Sequence, residues 1–302
     1  MVSLKRYLIL ARSPFLTASI IPVLLGTALA YRATRTFQPL DFFLVLFGMV
    51  FAHLGVNLAN DYYDYRQGAD QRNRFRNNFS GGSTFLVDGE ETPGRYRNLM
   101  WLSFILAASC GLILMVRIDD GIGPILWFAI AGFISGYFYT APPLKFVYRG
   151  FGELFILLGF GILPLIGTYY VHTGSITWEP LVAGTAVGLL TTNILYINQF
   201  PDFESDRDAG KSTLVVRLGT QRARFLYLVF LAGAALFIIL GPVLFEYPLF
   251  YLLGLVALVP SIIAGLVLYR YHQDPPKLLK GQALTIITQL ATGVVLTIGV
   301  LV

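Results

Sequence analysis

Apolar residues along this chain gather into long stretches, and the charged ones are confined to the gaps between them. Nine stretches are free of Asp, Glu, Lys and Arg: residues 15–31, 42–60, 99–116, 122–140, 154–171, 181–200, 225–243, 249–269 and 283–302. A bilayer's hydrocarbon core is about 30 Å thick, so a helix needs roughly 20 apolar residues to cross it. The pattern predicts an all-α polytopic membrane protein, a bundle of nine transmembrane helices. A soluble helical protein would need an amphipathic outer layer, which this sequence lacks.

Composition sharpens the exclusion. Of 302 residues 56% are hydrophobic and 13% charged, whereas soluble domains are about 25% charged. Neither a soluble globule nor a disordered chain fits. The single Cys110 excludes an internal disulfide and a multi-cysteine metal site.

Basic residues set the orientation, because Lys and Arg are retained on the cytoplasmic side. With the N-terminus inside, 19 of the 22 basic residues fall on the inner face, including Lys5, Arg6 and Arg12, and only Arg32, Arg35 and Arg117 lie outside. The chain is expected in the cell membrane with a cytoplasmic N-terminus and an external C-terminus. The first apolar stretch ends in Ala28-Leu29-Ala30, like a signal-peptide cleavage site, but the charge alternation counts it as a retained helix. The net charge of +5 then needs no nucleic acid to explain it.

Two inner loops, 61–98 and 201–224, hold ten of the seventeen acidic residues. At the end of the second helix, Asn57 and Asp61 are four apart, as are Asn60 and Asp64, so four oxygen-bearing side chains share one side of the helix end. After the sixth helix Asn198, Asp202 and Asp206 repeat the spacing, with a kink or fresh start expected at Pro201. Carboxylates crowded at a helix C-terminus repel one another and the helix dipole, and so call for a bound cation. Carboxylate and amide oxygens are hard ligands suited to Mg²⁺, which binds through one or two carboxylates plus substrate phosphates. The interleaved Arg66, Arg72, Arg74, Arg76, Arg207, Lys211 and Arg217 fit a polyphosphate held partly by metal and partly by direct charge.

The two clusters are offset by 141 residues and four helices, and Tyr139…Lys145 after the fourth helix is echoed by Tyr271…Lys277 after the eighth. These echoes predict two four-helix halves plus a ninth helix, with the active centre where the halves meet. Residues 1–302 would form one integral-membrane domain. The ionisable clusters lie at helix ends, not at the bilayer midplane where a transporter would place them, which leaves a transporter as the non-enzyme alternative. His53, His172 and His272 show no ligand spacing.

Asn60-Asp61-x-x-Asp64, Asp202-x-x-x-Asp206 and the Tyr139…Lys145 segment resemble the UbiA superfamily of intramembrane prenyltransferases. Asn60-Asp-Tyr-Tyr-Asp-Tyr-x-x-Gly-Ala-Asp70, the Gly81-Gly82-Ser83 loop and the run from Asp206 to Gly219 are most similar to its branch that prenylates 1,4-dihydroxy-2-naphthoate for menaquinone. One departure is Gly68, where the wider pattern has Asp; Asp70 is the candidate to replace it. The resemblance implies Mg²⁺-dependent transfer of an isoprenyl group from an isoprenyl diphosphate to an aromatic acceptor, 1,4-dihydroxy-2-naphthoate in the most similar branch, with 4-hydroxybenzoate or a geranylgeranylglyceryl phosphate lipid as the alternatives from other branches. It assigns Asp61, Asp64, Asp70, Asp202 and Asp206 to metal and diphosphate. Asn57, Asn60, Arg72, Lys145, Asn198 and Lys211 go to substrate binding. Tyr139 is placed beside the reacting carbon, and Tyr62, Tyr63 and Tyr196 are further candidates to face an allylic cation.

Overall fold

The computed structural model describes residues 12–77 and 79–302; Lys5 and Arg6 of the basic leader lie outside the described residues. Among the described residues the chain is helical, with no strand. The long helical segments are α1 (Thr17–Thr34), α2 (Pro39–Gln67), α3 (Pro93–Arg117), α4 (Ile122–Tyr137), α5 (Gly152–Thr173), α6 (Trp178–Asn198), α7 (Thr220–Phe245), α8 (Leu249–Tyr271) and α9 (Pro275–Gly299). Each expected apolar stretch falls on one of them. By length and composition seven are able to cross a membrane, namely α2, α3 and α5 to α9. The other two are α1, 18 residues with Pro22 and Arg32 inside it, and α4, which is 16 residues long.

Local chemistry sets the ends. Pro39 and Pro93 stand at the first positions of α2 and α3, where a missing N–H costs nothing. Gly68 and Gly174 take left-handed conformations, φ 79° and 68°, and close α2 and α5. At 29 residues α2 is about 43 Å long by its rise of 1.5 Å per residue, longer than the hydrocarbon core is thick. Its final turns, which carry Asn57 to Asp64, can therefore sit outside hydrocarbon without ending the helix.

The core is organised around α6, whose Ala183, Ala186, Val187 and Leu190 meet Leu25 and Leu29 of α1, Leu165 of α5, and Leu231 and Ile238 of α7. Where α5 crosses α6, a Cβ on Gly161 would lie 2.5 Å from the Gly184 oxygen and 2.8 Å from the Gly188 nitrogen. Only glycine permits that approach, the usual means of close helix contact in membranes. The π-helical turn Leu158–Ile162 of α5 spans the same crossing. Side-chain polarity is inverted relative to a soluble bundle: Gln282, Thr285, Thr288, Gln289 and Thr292 of α9 are buried, while Val116, Trp127, Val243 and Leu266 face outward.

Candidate active site

The ends of α2 and α6 and the loops that follow them converge on one cavity of about 230 Å³. After Gly68 turns the chain, the short helix Ala69–Arg72 directs Asp70 back toward the end of α2. Gly81 and Gly82 follow with φ of 90° and 75°. A Cβ on Gly82 would overlap the Asp70 carboxyl, so this loop reaches the acidic residue only because it is glycine. On the other side, α6 stops at Asn198, and Asp202 precedes a new short helix, Phe203–Asp208. The fresh start expected at Pro201 occurs, and it sets Asp206 one turn beyond Asp202, whose carbonyl accepts from the Asp206 N–H at 2.8 Å. Gly210, φ 73°, then folds the chain over so that Lys211 reaches back.

Lys211 joins the two acidic clusters. Its Nζ is 2.9 Å from Oδ2 of Asp64 and 3.5 Å from Oδ1 of Asp206. The Tyr148 hydroxyl donates to the other Asp64 oxygen at 2.8 Å. Arg12 pairs with Asp61, and Asn73 donates to Asp202 at 2.7 Å. Asp61, Asp64, Asp70 and Asp206 are buried and Asp202 is half-buried. Burial raises the pKa of Asp70 well above the usual carboxylate range, and the charges of Asp64 and Asp61 add to it. Burial likewise pushes Asp202 up to about 6 and Asp206 up to about 8, although Lys211 pulls both back. For Lys211 burial works against the charge, yet Asp206 and Asp64 outweigh it and hold the ammonium well above the ordinary lysine range.

Five carboxyl groups thus meet two cations, Arg12 and Lys211, an excess of buried acidic groups that the raised pKa values of Asp70, Asp202 and Asp206 reflect. Their hard oxygen donors fit Mg²⁺. Among the described residues no group of three or more Asp, Glu, His or Cys side chains is placed to hold a metal ion by itself. A shell completed by substrate phosphate oxygens is the arrangement Mg²⁺ favours.

The structure brings Asn57, Asn60, Asp64, Asp70, Tyr139, Asn198, Asp202, Asp206 and Lys211 to the cavity wall, and Asp61 borders it through Arg12. Two expected residues stand elsewhere. Arg72 donates to the Asp208 carbonyl at 2.5 Å, beside a second surface hollow. Lys145 lies off the cavity wall, its ammonium 5.4 Å from the centre of the Tyr148 ring. Of the four tyrosines only Tyr139 lines the cavity: Tyr63 pairs with Tyr137, Tyr62 with Arg66, and Tyr196 with the Ala223 carbonyl. Burial, reinforced by Glu153, keeps the Tyr139 phenol protonated.

Spacing alone missed Arg12, Asn73 and Tyr148, which hold acidic residues, and Gln199, which lines the wall beside Asn198. His53 also lines the cavity, one turn below Asn57, with its Nδ1 2.7 Å from the Ser19 hydroxyl. The far part of the wall is apolar, with Met49, Val56, Phe155, Ile156, Phe160 and Ile194.

A polar, acidic mouth over an apolar chamber suits an amphiphile with an anionic head. The model of the UbiA prenyltransferase family matches residues 19–285. The chain belongs to this family. It is therefore a prenyltransferase, and the several apolar helices make it a multi-pass membrane protein. A UbiA prenyltransferase domain-containing protein 1 homolog of Drosophila melanogaster is 32% identical over 85% of this chain and 69% of its own. The 1,4-dihydroxy-2-naphthoate octaprenyltransferase of Escherichia coli is 32% identical over 70% of this chain and 68% of its own. That of Bacillus subtilis is 26% identical over 97% and 91%. Among solved UbiA folds, a homolog from Aeropyrum pernix superposes with a TM-score of 0.70 at 16% identity, covering 93% of this chain and 98% of that one. A homolog from Archaeoglobus fulgidus bound to GPP and Mg²⁺ gives 0.64 at 18%, covering 96% and 99%.

Proposed function

We propose that this UbiA prenyltransferase moves an isoprenyl group from an isoprenyl diphosphate to 1,4-dihydroxy-2-naphthoate, with Mg²⁺ as cofactor. The observation that carries the reading is the bridge by Lys211 between Asp64 and Asp206, which makes the ends of α2 and α6 one anionic site at the mouth of an apolar chamber. The relatives named 1,4-dihydroxy-2-naphthoate octaprenyltransferase support the choice of acceptor.

In this reading Asp61, Asp64, Asp70, Asp202 and Asp206 hold Mg²⁺, with Asn57, Asn60 and Asn198 as neighbouring polar ligands of the substrate head. Mg²⁺, when bound, supplies the positive charge that stabilises a departing diphosphate. Lys211 contributes a positioned ammonium to the same oxygens and needs no reorganisation to do so. Arg12 lies on the cavity wall and can turn from Asp61 to the head group once that carboxylate is otherwise engaged. Tyr139 presents a protonated, otherwise unpartnered phenol and an aromatic face where the allylic C1 would lie. Phe155, Ile156 and Phe160 exclude water from the carbocation and receive the isoprenyl tail. The C1–O bond breaks and its electron pair leaves with diphosphate; the acceptor ring carbon then forms the new C–C bond to the allylic cation, and a nearby carboxylate or water takes the proton that this ring carbon carried.

The reading extends to the whole chain: residues 1–302 work as one membrane domain, α1 to α9 all cross the bilayer, the acidic mouth faces the cytoplasm and the C-terminus is outside.

Product analysis tests it. Purified protein is incubated with Mg²⁺, a panel of prenyl diphosphates, and 1,4-dihydroxy-2-naphthoate, 4-hydroxybenzoate or geranylgeranylglyceryl phosphate as acceptor. Preferential prenylation of the naphthoate supports the proposal, and preference for either other acceptor replaces it.

A further inference from the structure

Beside the reacting carbon expected near Tyr139, three elements meet in a polar patch that metal and diphosphate do not use. Glu153 begins α5 and is buried within the membrane-spanning segment. An ionisable residue in such a place is costly and usually has a function. Its Oε1 accepts a hydrogen bond from Nε2 of Gln199, 2.8 Å away and just past the end of α6. Among the described residues, Oε2 of Glu153, Oε1 of Gln199 and the Tyr139 hydroxyl are all buried without a hydrogen-bond partner. The three residues are 6%, 4% and 6% exposed. Each such orphan is costly unless something satisfies it. Gln199 and Tyr139 line the cavity, and the Tyr139 hydroxyl is 3.2 Å from where a Cβ of Gly152 would be, next to Glu153.

The chemistry of the pair fixes what the wall displays. The hydrogen bond between them runs from the amide nitrogen of Gln199 to the Glu153 carboxyl oxygen. That leaves the carbonyl oxygen of Gln199 as its free group, an acceptor in search of a donor. A carboxylate or phosphate of a substrate offers none and would be repelled. A ring hydroxyl offers one, and a hydrogen bond that draws on its proton pushes electron density into the ring and strengthens the attacking carbon. The backbone secures the arrangement, since the Thr192 hydroxyl reaches the Glu153 carbonyl at 3.4 Å and the Gly188 carbonyl at 2.9 Å.

We infer that Gln199, its amide held in one orientation by Glu153, recognises a ring hydroxyl of the aromatic acceptor. Gln199 is then a specificity residue in contact with substrate, and Glu153 is a positioning residue that acts through it. This inference rests on the reading of an aromatic acceptor given above.

The test uses the full-length protein with Mg²⁺ and saturating isoprenyl diphosphate. Acceptors are 1,4-dihydroxy-2-naphthoate and its two mono-methyl ethers, one for each hydroxyl. Wild type should prenylate one ether roughly ten- to a hundredfold less efficiently than the parent, because the ether lacks the donor and leaves Gln199 unsatisfied. Gln199→Leu should lose a similar factor in kcat/KM for the parent, and its discrimination between parent and that ether should collapse toward one. The KM for isoprenyl diphosphate should stay within about twofold. In Glu153→Gln either orientation of the Gln199 amide becomes compatible, so discrimination should fall only part of the way, a graded response that a merely structural tie between α5 and α6 would not produce. Undiminished discrimination in Gln199→Leu overturns the inference, and so does a wild type that accepts both ethers as well as the parent, a result that needs no variant to fold. A wild type that prenylates none of the aromatic acceptors but does prenylate geranylgeranylglyceryl phosphate overturns the proposed function itself, and this inference with it.

Discussion

Lys211 and Asp64 are 147 residues apart in sequence, yet their side chains meet at 2.9 Å, and this contact ties the loop after α6 to the end of α2. The same ammonium is 3.5 Å from Asp206. Lys145, the lysine singled out beside Lys211 from the sequence, stacks instead over Tyr148, whose ring also lies 5.5 Å from the Lys211 ammonium. The two lysines should therefore behave differently. Lys211→Met should weaken isoprenyl diphosphate binding by roughly ten- to a hundredfold, the loss of one charge-assisted contact. Lys145→Met should cost clearly less. Binding isotherms of a labelled diphosphate on the two variants decide this, and a larger loss at Lys145 would reverse the assignment.

Gly82 offers a test of the loop that closes on Asp70. Its φ of 75° is disfavoured for any other residue, and a Cβ would overlap the Asp70 carboxyl. Gly82→Ala should lower stability by about 1–3 kcal/mol from backbone strain alone. It should also displace Asp70 and weaken Mg²⁺ binding. A variant that melts with wild-type midpoint in detergent and binds Mg²⁺ normally would show that the loop does not hold Asp70.

Mg²⁺ binding should depend on pH in a defined direction. Asp202 and Asp206 have pKa values raised by burial to about 6 and about 8, so in the metal-free protein they take up protons below those values. The metal binds the ionised form and must displace those protons. Affinity should rise as pH rises through roughly 6 to 8. Calorimetry in buffers of different ionisation heat should show protons released on binding at pH 7. Affinity that is flat or falls over this window contradicts the picture.

The proposed orientation rests on the distribution of basic residues, which would leave Arg32, Arg35 and Arg117 alone on the outer side. Arg32, in the last turn of α1, reaches Glu179 in the first turn of α6 at 3.3 Å, and Arg117, in the last turn of α3, reaches Asp41 in the first turn of α2 at 2.7 Å, so two of the three are neutralised by acidic partners. A C-terminal reporter active only in the cytoplasm should stay silent. A signal from it would mean that the orientation is reversed or that one of α1 to α9 does not cross.

Much of the fold was legible because hydrocarbon imposes one rule on every segment: backbone groups must bond within a helix, so apolar length reads directly as helix. The acidic clusters were legible for a related reason, since repeated carboxylates at four-residue spacing have no cheap place at a helix end. What the sequence did not show are contacts made across elements. Arg12 counted only as a topology residue until the fold set it against Asp61. Tyr148, Asn73 and Gln199 have no spacing that marks them, because their partners Asp64, Asp202 and Glu153 lie on other segments. His53 showed no ligand spacing, and its place on the cavity wall follows only from how α2 faces α1 and α5. Arg72 looked equivalent to Lys211 by charge and neighbourhood, but the short helix Ala69–Arg72 turns it toward the Asp208 carbonyl.

The central claim is that the two acidic clusters act as one metal and diphosphate site. Isoprenyl diphosphate affinity measured across a Mg²⁺ titration, in wild type, Asp64→Ala and Asp202→Ala, tests it most directly, because the two variants remove one residue from each cluster. Wild-type affinity should strengthen with Mg²⁺ and fall when EDTA is added, and each single variant should lose that dependence while remaining folded. Mg²⁺-dependent binding that survives in either variant would contradict a shared site.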